Sequence, residues 1–148
     1  MKLFTEAERL ELTSHCLDLN TQALRIIIRG LRASNAFTEE LSHYIQLYQR
    51  CHPASNDIQA LVQAGNAVHA LHSKITELRT SVKRDFEIIH SGIFTRTAQA
   101  LTLMIEIEEK LKAIDPALDS ATSTMEKVHN ITKKWGGHQQ TSQSKNAQ

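Results

Sequence analysis

The residues able to do chemistry fall in short pairs. Glu-x-x-His occurs three times, as Glu40/His43, Glu87/His90 and Glu126/His129. On a helix, residues three apart share a side, so each pair offers a carboxylate and an imidazole to one metal ion or one proton. Glu11 stands in the right neighbourhood to add a lone carboxylate. His69 and His72 form His-x-x-His, which clamps a metal when a third ligand reaches it. Arg84 and His90 pair a phosphate-binding guanidinium with a group that takes and gives protons near neutral pH, and Asp85 adjoins the arginine. Each pair also has a plainer meaning. A solvated Glu/His pair at this spacing adds only about 0.2–0.5 kcal/mol to a helix.

Three of these runs look like parts of known all-α proteins. Two Glu-x-x-His pairs with two lone glutamates are the ligand set of ferritin-like di-iron bundles, and Glu40, His43, Glu126 and His129 are the best candidates for such a set here. Those ligands must point into the bundle, whereas these pairs sit to one side of their apolar stripes. The run His69-Ala-Leu-His72 resembles the phosphohistidine segment of histidine phosphotransfer bundles, with His72-Ser73 where that family carries Lys-Gly. The run Arg84-Asp-Phe-Glu-Ile-Ile-His90 resembles the Arg-x4–6-His motif of HEPN-type ribonucleases. That resemblance implies a dimeric, metal-independent ribonuclease with Arg84 as phosphate clamp, Asp85 as its polar neighbour and His90 as acid–base group. It covers seven residues. On one straight helix Arg84 and His90 stand about 120° apart, so a break near Gly92 is needed to bring them together.

The elements that must position these groups are helical. Leu61, Val68, Ile75, Val82 and Ile89 repeat every seven residues, and Leu71 and Leu78 complete a seam. This predicts one long central helix over about 57–91, with Phe86 taking over the seam where Asp85 falls on it. Thr5 and Glu8 form a capping box before a first helix that closes at Ser34-Asn35. That helix carries two apolar lines on opposite sides: Leu10, Leu17, Leu24 and Leu31, and Leu12, Leu19 and Ile26. A short second helix runs from Phe37 to about Cys51, where Pro53 stops it. A fourth runs from about Phe94 to Ile114, apolar nearly all round through Leu103 and Ile107. Asp115-Pro116 opens a fifth, which Gly136-Gly137 ends. The stretch 138–148 is polar and predicts a disordered tail after a single 1–137 domain. Whether helices three and four join across Gly92 is left open.

The prediction is therefore an all-α antiparallel bundle of four to five helices. With 5% aromatic residues, five glycines and two prolines, a sandwich or barrel is disfavoured. A net charge of +1 gives no global field for nucleic acid, although Arg25, Arg29 and Arg32 line one flank and are the place where RNA would meet it. Cys16 and Cys51 make no disulfide framework, no apolar run is long enough for a membrane, and the start is not signal-like, so the expected setting is cytoplasmic. No cofactor is expected.

The leading expectation is a small bundle that works through protein–protein interaction, as an adaptor, chaperone-like or regulatory accessory protein. Its partner is another protein or a second copy, in a homodimer or higher oligomer. The spare apolar surface is assigned to Leu12, Leu19, Ile26, Leu103 and Ile107. The HEPN-like ribonuclease and the di-metal bundle are the alternatives.

Overall fold

The computed structural model describes residues 4–51, 55–95 and 98–146. Among them the chain forms three helices: α1 (Glu6–Cys51), α2 (Ser55–Thr95) and α3 (Ala98–Asn146). The all-α class agrees with the sequence; the count of four to five does not. The predicted capping box opens α1, with Thr5 Oγ1 accepting from the Glu8 amide and Glu8 Oε1 from the Thr5 amide, both at 3.2 Å. The predicted central helix is α2, two residues longer at its start and four longer at its end. It passes through Gly92, so the expected stop at Ser91-Gly92 does not form. The predicted start at Phe94 belongs to the end of α2, and α3 begins at Ala98. Pro53, expected to stop the second helix, lies outside the described residues.

Two further predicted breaks are absent because burial outweighs the local signal. Ser34-Asn35 lies inside α1: Ser34 is buried, and Thr38 Oγ1 donates to the Ser34 carbonyl at 2.8 Å. The expected first and second helices are thus one. Pro116 lies inside α3, where a missing amide and a ring clash cost about 3 kcal/mol. Pro116 itself is exposed, while Ile114 and Ala117 on either side are buried, and their packing carries the helix past it. The helical backbone of α3 also continues through Gly136-Gly137 to Asn146, where a stop and a disordered tail were expected. Glycine weakens a helix by about 1 kcal/mol but does not block it.

The chain divides into two compact units, each made from one segment of every helix. Unit 1 comprises 1–32 and 72–116, and unit 2 comprises 33–71 and 117–148. In unit 1, His15 meets Glu108 and Arg29 meets Asp115, so α1 and α3 run the same way there. Gly30 lies against Ile75 and Ser81 against Lys110, which sets α2 antiparallel between them. The core of this unit is Leu19, Ala23 and Ile27 against Ile75, Leu78 and Ile89 and against Met104, Ile107 and Leu111. A Cβ on Gly30 would stand 2.6 Å from Ile75 Cδ1, so glycine permits this close approach of α1 to α2.

In unit 2 the same alternation holds, with Tyr44 beside His129, Tyr48 beside Trp135, and Trp135 bonded to Asp57. Its core is built from Leu41 and Tyr44, from Ala64, Val68 and Leu71, and from Ala121, Met125, Val128 and Trp135. Trp135 is thereby the core anchor that its helical spacing suggests.

Candidate functional site: an open leucine seam on α1

Within unit 1, α1 turns Cys16, Leu19, Ala23, Ile27 and Gly30 inward. At about 100° per residue, the line Leu10, Leu17, Leu24 and Ile28 lies on the far side of the helix. These four side chains are 68%, 61%, 47% and 51% exposed. They follow the spacing of a coiled-coil seam, with Ser14 and Thr21 in the alternate layers and Leu31, half-buried, closing it. Single exposed leucines are ordinary; four in one register are a candidate interaction face.

The residues assigned from sequence to a partner are not on this exposed line. Leu19 and Ile107 are buried inside the chain, and Leu12, Ile26 and Leu103 are half-buried. The two-sidedness of the first helix was read correctly, but the inner and outer lines were exchanged. Packing decides between them: Ala23 and Gly30 are small on the Leu19 side and let α1 approach its neighbours. The all-round apolar stretch of α3 behaves likewise, with Met104 and Ile107 inward and Leu101 and Ile105 exposed.

Charge is distributed unevenly along the seam. Glu11, Asp18, Arg25 and Arg32 repeat every seven residues on one flank, all exposed, acidic in the first half and basic in the second. None of the four is held in an ion pair with another described residue, whereas Arg29 pairs with Asp115 at 3.1 Å. Beside the acidic half, α1 and α3 enclose a groove of about 670 Å³ lined by Glu8, Glu11, Leu12, Ser14, Asp18 and Leu101, among others. The other flank carries Thr13 and Asn20 and no charge.

The residues of the ribonuclease reading do not converge. α2 is unbroken from Ser55 to Thr95, so Arg84 and His90 keep their roughly 120° separation. Arg84 Nε donates to Asp85 Oδ1 at 3.0 Å. That bond, with the adjacent negative charge, holds the guanidinium above its ordinary pKa. Asp85 is 2% exposed, and its Oδ2 is buried without a hydrogen-bond partner. It keeps the seam position that Phe86, half-buried, was expected to take. One turn earlier the Ser81 hydroxyl is also buried and accepts from Lys110 Nζ at 2.5 Å. The signal for this polar layer is the step Leu78, Ser81, Asp85, Ile89, which keeps three/four spacing once the seven-residue repeat drifts.

The metal reading fails on placement too. No three His, Cys, Asp or Glu side chains come together to hold an ion among the described residues. Glu40 and His129 do meet, but through a phenol: Tyr44 donates to Glu40 Oε1 at 2.9 Å and lies 2.9 Å from His129 Nδ1. Since the phenol's one proton goes to Glu40, His129 Nδ1 carries the hydrogen of the second bond. Burial, and then the bond to Glu40 and its charge, push the Tyr44 pKa up to about 12. Glu40, His43, Glu126 and His129 are all exposed, as are Glu11, Glu87 and His90. His69 and His72 are exposed on α2. Among the described residues, no helix is long and apolar enough to cross a membrane.

Comparison with protein-family models, curated proteins and solved structures returned no match.

Proposed function

We propose that this protein acts by helix-to-helix association, with the outer seam of α1 as its docking surface. The observation that carries the reading is the register of Leu10, Leu17, Leu24 and Ile28, about half or more exposed and aligned as one side of a coiled coil. Burying such side chains against a partner helix is favourable by about 25 cal/mol per Å² of apolar surface. The flanking charges add orientation, as they do in paired helices generally. An adaptor or regulatory accessory role fits a chain whose distinctive surface is apolar and whose candidate catalytic groups stand apart.

A photo-crosslinking residue in place of Leu17, with a control at exposed Lys74, tests it in the cell. A discrete covalent product is expected from position 17 alone, and it should vanish when Leu10 and Leu24 are also changed to Lys. No product, or one indifferent to those changes, overturns the reading.

A further inference from the structure

We infer that the seam's occupant is the α1 seam of a second copy of this chain, laid antiparallel across it. The inference rests on the association reading above and adds the identity and direction of the partner.

The argument is the charge order along the flank. Residues 11 and 32, and likewise 18 and 25, lie equally far from the midpoint of the stretch, between Thr21 and Gln22. When two such helices run in opposite directions about a two-fold axis at that midpoint, Glu11 of one copy faces the partner's Arg32. Asp18 then faces the partner's Arg25, and symmetry repeats both pairs. Same-side flanks meet in this way in antiparallel coiled coils, so both acidic residues find a base and both bases an acid. The seam layers follow closely: Leu24 packs beside the partner's Thr21, and Leu17 beside the partner's Ile28, each pair about two residues from level, which sets each leucine against a smaller or β-branched residue.

A parallel dimer lacks this complementarity. There the charged flank of each copy meets the partner's other flank, with Thr13 and Asn20, which offers no charge in return. The groove beside Glu11 and Asp18 points the same way. Its acidic rim lies where the basic half of an antiparallel neighbour would pass, and Leu101 gives that neighbour an apolar floor.

Sedimentation velocity on the purified full chain tests this, with far-UV circular dichroism confirming that each variant stays helical. The wild-type chain is expected to dimerise and to weaken as salt is raised, because the pairs are exposed. The variant R25E/R32E turns both pairs into repulsions and should raise the dissociation constant on the order of 100-fold. The fourfold variant E11R/D18R/R25E/R32E reverses every charge and restores both pairs, so it should return to within about threefold of wild type. A wild-type monomer at about 100 µM overturns the second copy as occupant, and the association reading survives if position 17 still crosslinks to another protein. A dimer that persists in L10K/L17K/L24K overturns both. A dimer lost in R25E/R32E and not recovered in the fourfold variant overturns the antiparallel register.

Discussion

In unit 2, the polar tips of the buried aromatic side chains all reach partners. Trp135 Nε1 donates to Asp57 Oδ2 at 3.1 Å, and the Tyr44 phenol sits between Glu40 and His129. In unit 1, the Asp85 carboxylate has one oxygen bonded to Arg84 and the other buried alone, and Arg9 Nε is also buried without a hydrogen-bond partner. Among the described residues both such atoms fall in unit 1. A satisfied buried group adds modestly to stability, whereas an unsatisfied one costs about 1–3 kcal/mol. The unit that displays the leucine seam is thus also the one with the less settled interior.

The comparison is broken or sharpened by single substitutions. The largest effect is expected from Trp135→Ala, which removes the anchor of unit 2, its contact with Tyr48 and its bond to Asp57. A loss of about 3–5 kcal/mol, measured by urea unfolding, follows from burial of this size. A loss below 1 kcal/mol would mean that unit 2 does not depend on its aromatic cluster.

Gly30→Ala and Gly65→Ala form a matched pair. At Gly30 the new Cβ must displace the fully buried Ile75, at a cost of about 1–3 kcal/mol, against the roughly 1 kcal/mol that alanine adds to a helix. At Gly65 nothing lies within 4 Å, so the variant should gain about 0.5–1 kcal/mol. Thermal midpoints moving in opposite directions would confirm the two environments, and a common direction would refute them.

Asp85→Ala should stabilise unit 1 by about 1–2 kcal/mol, since it removes the orphaned oxygen and installs a better helix former. Destabilisation in the same assay would show that Oδ2 has a partner in solution. The smallest effect belongs to Tyr44→Phe, a loss of about 0.5–1.5 kcal/mol near neutral pH. Its pH dependence is more telling. The folded-state pKa of Tyr44 lies near 12, above the ordinary phenol value of about 10, so the fold favours the neutral form. That stabilisation is complete below pH ~10 and is lost as pH rises toward about 12. The stability difference between wild type and Tyr44→Phe should therefore shrink across this window, and a constant difference would show that the fold does not hold this phenol above its ordinary pKa.

Much of this was legible from side-chain pattern, and the failures have physical reasons. The Thr5/Glu8 box and the α2 seam through Val68, Leu71, Ile75 and Leu78 depend on local spacing, and both appear as read. Ser34-Asn35 and Asp115-Pro116 misled because a turn signal worth a few kcal/mol competes with packing along a whole helix. The two faces of α1 were exchanged because both are leucine lines at the same period. The discriminating signal was the alignment of Ala23 and Gly30 with Leu19 and Ile27, where a close neighbour requires small residues. Drift of the seven-residue repeat on a 3.6-residue helix points to Phe86 after Leu78, yet the three/four step through Ser81 keeps Asp85 on the buried face. The meeting of Tyr44 with His129 joins residues far apart in sequence, which local spacing does not report.

The interleaving of the two units has a consequence for synthesis. Each needs a segment of α3, so neither is complete when α1 and α2 have been made. At about 5–20 residues per second, α1 waits several seconds on the ribosome between the addition of Cys51 and the first residue of α3. Throughout that interval it is apolar on two sides, one intended for its own chain and one turned outward. Birth order thus makes α1 the segment most open to mispairing, and a mate that took the outer leucines early would leave only the inner face unattended.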